Sequence, residues 1–223
     1  MINKIFICIP EPLSNIHADI VDRRDKQSFI YKKNMLEIIT TMIVLALGVG
    51  IYRIVKKSVN TELNMTITET EGDLLDLFSK KAFSAIAHGC NCTNVMGAGI
   101  AKQIRGKYPK AYATDKEFVR GYGFECIIGL YSYIDTENGK LFNLYTQLLP
   151  GANARTTYIR LALDSLFIYY TNSEGRIKIG IPLIGCGIGG LNYEHDLLPL
   201  VKDMKSTGLY NNIDLVIVHY KTK

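Results

Sequence analysis

The sequence lacks the paired, regularly spaced cysteines of a disulfide scaffold. Its five cysteines are scattered at Cys8, Cys90, Cys92, Cys126 and Cys186. An odd number of scattered thiols indicates a reducing compartment, the cytosol, rather than the cell exterior. The Cys90-x-Cys92 pair also lacks the two-residue gap and the second ligand pair of a structural zinc site. The sequence therefore predicts no disulfide framework and no metal site, and it indicates no cofactor.

Residues 61–223 lack an excess of charge of either sign. The whole chain has a net charge of +5, and residues 1–60 hold nine Lys/Arg against five Asp/Glu. A nearly neutral main body predicts no sequence-specific nucleic-acid partner. Hydrophobic residues make up 48% of the chain and charged residues 21%, which excludes wholesale disorder. A segment of roughly 160 residues is long enough to bury a full core.

One long run without charge, 38–52, interrupts the basic N-terminal third. The wider segment 35–55 would be about 31 Å long as a helix, which matches the bilayer core. Lysines flank it on both sides, as is typical of a membrane surface. We predict a basic extension over 1–34 and a transmembrane helix over 35–55. A buried core helix or a short soluble hairpin is the alternative. The run lies too far from Met1 for a cleavable signal peptide.

Residues 63–223 alternate between strand and helix patterns, which predicts an α/β domain with helices packed on a sheet. The strands are expected over 65–70, 83–88, 126–134, 141–147, 177–184 and 213–220. The helices are expected over 74–78, 98–107, 110–120, 157–171 and 193–205.

Two glycine-rich turns each follow an apolar strand, at Gly97-Ala-Gly-Ile100 and at Gly185-Cys-Gly-Ile-Gly-Gly190. Glycine lets the backbone approach a ligand closely, and a helix that starts after such a turn offers free N–H groups to a phosphate. Two such loops could clamp a pyrophosphate between them. Lys102 stands where a dinucleotide fingerprint needs its third glycine, and neither loop continues into Gly-Lys-Ser/Thr. Simple tight turns are the alternative.

The motifs Ala87-His-Gly-Cys-Asn-Cys92, Met96-Gly-Ala-Gly-Ile-Ala101 and Ile184-Gly-Cys-Gly-Ile-Gly-Gly-Leu191 together resemble the macrodomain family. The resemblance is strongest to its ADP-ribose 1''-phosphate phosphatase branch and covers residues 63–223. It implies a three-layer α/β/α fold with a mixed central sheet. It also implies hydrolysis of ADP-ribose 1''-phosphate to ADP-ribose and phosphate. The alternatives are a non-catalytic ADP-ribose reader and an ADP-ribosyl hydrolase acting on a modified protein or nucleic acid.

The resemblance also implies roles for individual residues. Asp73 would accept a hydrogen bond from the adenine amino group, with a helix N-cap before Leu74 as the alternative. Asn91 would contact the distal ribose, unless its amide only supports its own loop. His88 would act with Asn91 as a catalytic residue that activates water or protonates a leaving oxygen, unless it is bonded to backbone. The ligand-binding set comprises Asp73, Leu74, Gly97, Ala98, Gly99, Ile100, Gly185, Cys186, Gly187, Ile188, Gly189 and Gly190.

The sequence departs from the family pattern in two places. Ala101 stands where many of the family's ADP-ribosyl hydrolases have an aspartate. Gln147 and Gly189 stand where another hydrolase branch uses a lysine and an aspartate, so the lysine nucleophile of that branch is missing. Both departures argue against these two mechanisms. His195, Tyr145 and Gln147 are weaker candidates for the same cleft.

A domain with nucleotide-like ligands is expected to face the cytosol. The N-terminal flank of 35–55 carries more Lys/Arg than the other flank, which by itself would keep the N-terminal flank inside. A start of translation at Met35 would leave only Arg53, Lys56 and Lys57 as the positive flank, on the cytosolic side. We therefore expect a membrane-anchored protein with a cytosolic domain, or a cytosolic protein if 35–55 is not inserted.

Overall fold

Six strands form one mixed sheet in the order β1-β6-β5-β2-β4-β3. The computed structural model describes residues 64–124 and 126–221. Neighbouring strands are parallel throughout, except that β3 pairs antiparallel with β4 at one edge. The parallel strands therefore point their carboxyl ends to one edge of the sheet, where the loops of open α/β sheets bind ligands.

The elements follow the alternation that the sequence predicts. The strands are β1 (Thr66–Gly72), β2 (Ala85–Asn91), β3 (Tyr131–Thr136), β4 (Gly139–Gln147), β5 (Ile177–Ile181) and β6 (Ile213–Tyr220). The helices are α1 (Leu74–Ser79), α2 (Gly99–Lys107), α3 (Pro109–Tyr122), α4 (Thr156–Tyr169) and α5 (Leu198–Ser206). A π-helical turn, Tyr193–Leu197, leads into α5.

Two hydrophobic clusters lie on opposite faces of the sheet. One contains Ala85 and Ala87 of β2 and packs them under α4 and α5. The other contains Ile86 of β2 and packs it under α1 and α2. Successive side chains of a strand point to opposite faces, so β2 contributes to both clusters. The domain is thus a three-layer α/β/α structure with a mixed sheet, as predicted.

Element boundaries differ from the predicted ones where turn chemistry intervenes. The strand expected over 126–134 begins only at Tyr131, because the backbone forms turns before it, including Leu130 N–H to Ile127 O at 2.9 Å. β5 ends at Ile181, just before Pro182, which cannot donate to a sheet ladder. The predicted helix with an internal Pro199 is two elements. Pro199 lies in the first turn of α5, where its missing N–H breaks no helical hydrogen bond.

The predicted extension over 1–34 and the predicted span over 35–55 lie outside the described residues. Between Asn64 and Lys221, no described helix is both long enough and apolar enough to cross a bilayer.

Candidate functional site

A cleft of about 790 Å³ opens at the carboxyl edge of the sheet. The ends of β1, β2, β4, β5 and β6 and the loops that follow them form its walls. Most predicted site residues line it, which brings together segments that are far apart in the chain. Those in the lining are Asp73, Leu74, Asn91, Gly97, Ala98, Gly99, Ile100, Gly185, Cys186, Gly187, Ile188 and Gly189.

The first glycine loop delivers the start of α2 to the cleft. Ala98 is the N-cap residue and has no side-chain oxygen to satisfy the N–H groups of the first helical turn. Gly99 adopts a positive φ of 54°, a conformation that favours glycine. The N–H groups and the positive end of the helix dipole are therefore available to an anion.

The second glycine loop, Gly185–Gly190, is held in shape by its own backbone. Leu191 N–H donates to Gly185 O at 2.9 Å, and Gly190 N–H donates to Gly187 O at 3.1 Å. Gly185 has a φ of 78°, and a Cβ there would come within 2.9 Å of the Ile159 side chain. Glycine is thus required both for the backbone conformation and for the close packing of this loop on α4. Gly190 itself is not among the residues that line the cleft.

The described lining of the cleft offers backbone N–H groups but no permanently cationic side chain for an anion. No lysine or arginine is among the described residues that line the cleft. Burial raises the pKa of the Cys186 thiol to about 11, so this side chain is neutral at physiological pH. Backbone N–H groups at helix starts and glycine turns are therefore the main candidate donors for a phosphate, beside neutral side chains such as Asn91 and Thr146.

Asp73 has the geometry for both of the roles that the sequence leaves open. Its Oδ1 caps α1 by accepting from Leu75 N–H at 2.8 Å and from Asp76 N–H at 3.0 Å. Asp73 also lines the cleft. Its second carboxylate oxygen can accept from a ligand while the first one caps the helix.

The amide of Asn91 mainly supports its own loop. Its Oδ1 accepts from Thr93 N–H, from the Thr93 hydroxyl and from Val95 N–H, at 3.0–3.1 Å. Its Nδ2 donates to Val95 O at 2.9 Å. One amide N–H remains for a ligand, so Asn91 can bind in the cleft but has little freedom to act as an acid or base.

The structure places His88 behind the cleft rather than in its lining. Its side chain is fully buried and is not among the residues that line the cleft. Nε2 lies 2.9 Å from Asn143 Oδ1, and desolvation lowers the pKa of the imidazole to about 4. In this position the imidazole is neutral and does not reach the cleft, so its catalytic role stays a prediction. Its hydrogen-bond partners are the Asn143 side chain and the backbone of Gly89, and the second of these agrees with the alternative of a histidine bonded to backbone.

The weaker candidates have separate positions. His195 lies in the exposed π-helical turn, outside the cleft lining. Tyr145 is fully buried behind the cleft, and its hydroxyl donates to Asp115 at 2.9 Å. Gln147 lines the cleft and donates to Leu149 O at 2.8 Å.

Sequence reasoning missed several side chains that line the cleft, among them Asp115, Thr146 and His219. Thr146 and His219 lie near the carboxyl ends of β4 and β6, so the strand pattern itself could have placed them at the ligand edge. Asp115 had no such signal, because it lies in the middle of a helix and the sequence does not show that this helix packs against the cleft.

Comparisons with known proteins agree with this architecture. No family model matches the chain. The uncharacterized 17.5 kDa protein in the tk-vs intergenic region of Enterobacteria phage T4 is 33% identical over 161 residues, which cover 70% of this chain and 98% of that protein. The ADP-ribose 1''-phosphate phosphatase of Saccharomyces cerevisiae is 30% identical over 161 residues, which cover 57% of this chain and 87% of that protein.

A third relative is much longer than the matched segment. The DNA ADP-ribosyl glycohydrolase of Mycobacterium tuberculosis is 32% identical over 133 residues, which cover 57% of this chain but only 36% of that protein. This chain therefore spans about a third of it. Among solved structures, the macrodomain of Mycobacterium tuberculosis DarG matches with a TM-score of 0.57 at 28% identity, over 71% of this chain and 99% of that one.

The mixed sheet, the two helical layers and a cleft walled by glycine loops define a three-layer α/β protein with a ligand cleft at the carboxyl edge of its sheet. A phosphatase and a glycohydrolase are similar to it in sequence, and a macrodomain is similar to it in fold. The chain belongs to the macrodomain family.

Proposed function

We propose that this chain binds ADP-ribose derivatives in the cleft and hydrolyses ADP-ribose 1''-phosphate to ADP-ribose and inorganic phosphate. The observation that carries the proposal is the placement of two glycine loops, far apart in the chain, on one cleft. The yeast relative, 30% identical over 161 residues, bears the name of this activity.

The cleft offers different groups to different parts of such a ligand. Asp73 lies beside the ends of β1 and β6 and supplies a carboxylate oxygen for an adenine amino group. The start of α2 and the second loop supply N–H groups for the diphosphate. Asn91 and Thr146, at the ends of β2 and β4, remain for the distal ribose and its terminal phosphate.

Backbone groups would also provide most of the stabilisation of the reaction. As water attacks the terminal phosphorus, negative charge builds up on the phosphoryl and leaving oxygens. Fixed N–H groups in a cleft that excludes much of the solvent stabilise such charge without having to reorganise. Removing a single donor of this kind typically costs about 10²–10³-fold in rate.

A second candidate function is removal of ADP-ribose from a modified nucleic acid. It is favoured by the cationic side chains on α2 and α3 next to the first loop. Arg105 and Lys116 both lie over the Tyr112 ring, at 4.3 and 4.6 Å from its centroid. The mycobacterial glycohydrolase, named for this activity on DNA, is 32% identical over 133 residues. Against it, Gln147 occupies the position of the lysine nucleophile that the resemblance implies for that kind of hydrolase.

The first experiment titrates the full-length chain with ADP-ribose in a calorimeter and then measures phosphate release from ADP-ribose 1''-phosphate. The test variant is Gly187→Leu, because a Cβ at Gly187 meets nothing within 4 Å and the added side chain can obstruct the cleft without disturbing the loop. The matched control is Gly106→Leu, which also meets nothing within 4 Å and lies in α2 outside the cleft lining.

We expect binding and phosphate release in the wild type, a loss of at least about tenfold in affinity for Gly187→Leu, and none for Gly106→Leu. Binding without phosphate release would favour a reader or, if ADP-ribosylated DNA is turned over, the glycohydrolase. Absence of binding would refute the proposed role of the glycine loops.

A further inference from the structure

Asp115 is a buried carboxyl group in α3 that lines the cleft. Its Oδ1 accepts a hydrogen bond from the Tyr145 hydroxyl at 2.9 Å. Its Oδ2 is buried and has no hydrogen-bond partner among the described residues. Asn94, in the segment that follows β2, donates to the backbone oxygen of Asp115 at 3.1 Å. The carboxyl group is thereby fixed next to the segment that leads into the first glycine loop.

An unpartnered oxygen in such a position points to a missing donor. A buried carboxylate oxygen without a hydrogen bond carries its full desolvation penalty, so nearly all such oxygens in proteins are satisfied. Another protein donor nearby is the Asn94 side chain, which lies close enough to lower the pKa of Asp115 but is bonded to its backbone oxygen rather than to Oδ2. A hydroxyl group of the ligand or a water molecule that enters the cleft can supply the donor that Oδ2 lacks.

A chain of hydrogen bonds behind the cleft ends at the other oxygen of this carboxylate. Tyr145 gives its only hydroxyl hydrogen to Asp115, so Tyr145 must accept from Ser132, 3.1 Å away. Ser132 in turn accepts from Asn143 Nδ2 at 3.0 Å. Asn143 Oδ1 then accepts from His88 Nε2–H. Every donor points toward Asp115, and such a polarised chain stabilises the ionised carboxylate.

The other titratable groups of the cleft are less suited to proton transfer at the distal end. Asp73 caps α1 at the opposite end. His219 is bonded to Glu69 at 2.8 Å. Burial raises the pKa of the Cys90 thiol well above its ordinary value, and that of Cys186 to about 11. Burial also raises the pKa of Asp115, which brings this carboxyl group closer to the range in which a general base works best.

We propose that Asp115 is the general base of the cleft and that its Oδ2 accepts a proton from the attacking water. This inference rests on the proposed phosphatase function. The water oxygen forms a bond to the terminal phosphorus while the bond between phosphorus and the ribose oxygen breaks. The proton taken by Asp115 passes to the departing ribose oxygen. The products are ADP-ribose and inorganic phosphate, and the carboxylate is restored.

The test compares Asp115→Asn with Asp164→Asn in the full-length chain. Asp164 is the matched control, because it also accepts a tyrosine hydroxyl, that of Tyr210 at 2.6 Å, but lies outside the cleft lining. We expect Asp115→Asn to lose about 10²–10⁴-fold in kcat for ADP-ribose 1''-phosphate, the usual contribution of a general base. Its affinity for ADP-ribose, measured by calorimetry, should change by less than about threefold. Asp164→Asn should keep its kcat.

A second variant, Tyr145→Phe, distinguishes a base from a structural residue. The Tyr145 hydrogen bond lowers the pKa of Asp115, so its loss should raise that pKa further. A base must be ionised, so the acid limb of the kcat/KM profile should move to higher pH in Tyr145→Phe and disappear in Asp115→Asn. Two results would overturn the inference, provided that the wild type turns over its substrate. One is an acid limb that does not move in Tyr145→Phe, and the other is full activity in Asp115→Asn. Either result would leave the proposed phosphatase function in place. Absence of turnover in the wild type would overturn both.

Discussion

Individual polar side chains behind the cleft are satisfied by partners that come from other elements. His88 of β2 bonds to Asn143 of β4, and Asn143 also donates to Ala111 O in α3 at 3.0 Å. The imidazole is therefore part of the core that supports the cleft and not of its surface. As a neutral group, it donates a hydrogen bond to Asn143 in a buried environment, where a charged group would carry a large desolvation penalty.

The burial of His88 predicts a specific pH dependence of stability. Its pKa is about 4 in the folded protein against 6.5 for a free side chain. Between these values the unfolded chain binds more protons than the native one, so stability falls as pH drops from 6.5 toward 4. The loss attributable to this group should approach about 3 kcal/mol, at 1.36 kcal/mol per pKa unit.

The variant His88→Gln provides the measurement, because glutamine can still donate to Asn143 but does not titrate. Urea unfolding at several pH values should show a flatter dependence between pH 6.5 and 4 in the variant than in the wild type. The comparison cancels the opposite contribution of Asp115, whose pKa is raised and which both proteins share. Parallel curves would contradict the assignment.

At the scale of elements, the short helix α1 depends on the same residue that faces the cleft. α1 has only six residues, Leu74–Ser79, too few to be stable by helix propensity alone. It is fixed by the burial of Leu74, Leu75 and Phe78 and by the Asp73 cap. Stability and ligand binding are therefore coupled at Asp73, and two substitutions can separate them.

We expect Asp73→Asn to keep the cap and weaken ADP-ribose binding. Asparagine retains Oδ1 for the two backbone N–H groups but replaces the second acceptor oxygen with a donor. Affinity should fall about tenfold, the usual loss for one hydrogen bond to a charged group. Asp73→Ala should lose the cap as well and cost about 1 kcal/mol of stability. Calorimetry and urea unfolding measure the two effects.

Asp76→Asn is the matched control, since Asp76 lies in the first turn of the same helix but does not line the cleft. It should leave ADP-ribose affinity unchanged. An equal loss of affinity in both asparagine variants would mean that only the negative charge of this helix end matters. The predicted contact of Asp73 with adenine would then be wrong.

At the scale of the whole molecule, the first and last strands of the domain both contribute to the cleft. β1 pairs with β6 along its full length, and the ends of both strands contribute to the cleft together with those of β2, β4 and β5. A ligand that contacts several of these strand ends therefore links segments that unfolding would separate. Binding should stabilise the domain as a unit.

We expect ADP-ribose to raise the free energy of unfolding by about 2.7 kcal/mol at a concentration of 100 times its Kd. Thermal unfolding with and without ligand measures this effect. AMP, used at the same concentration, should give a smaller shift, because it lacks the second phosphate and the distal ribose that would reach the second loop. Equal shifts for AMP and ADP-ribose would exclude that loop from binding.

Local chemistry made much of this protein predictable from its sequence. Alternating apolar residues identified the strands, and two glycine turns after strands identified the walls of the cleft. Asp73 was predictable because an aspartate before an apolar helix is a local capping signal as well as a family match. Strands, glycine turns and helix caps depend on residues within a few positions of each other, so the local sequence is enough to predict them.

Only the tertiary structure determined which polar groups face the cleft and which lie behind it. His88 is enclosed because β2 is an interior strand between β5 and β4 and is covered by helices on both faces. Asp115 lies in the middle of α3 and becomes a buried cleft residue only when α3 packs over Tyr145 of β4. Burial of a polar group depends on partners distant in sequence, and the pattern along one element does not reveal them.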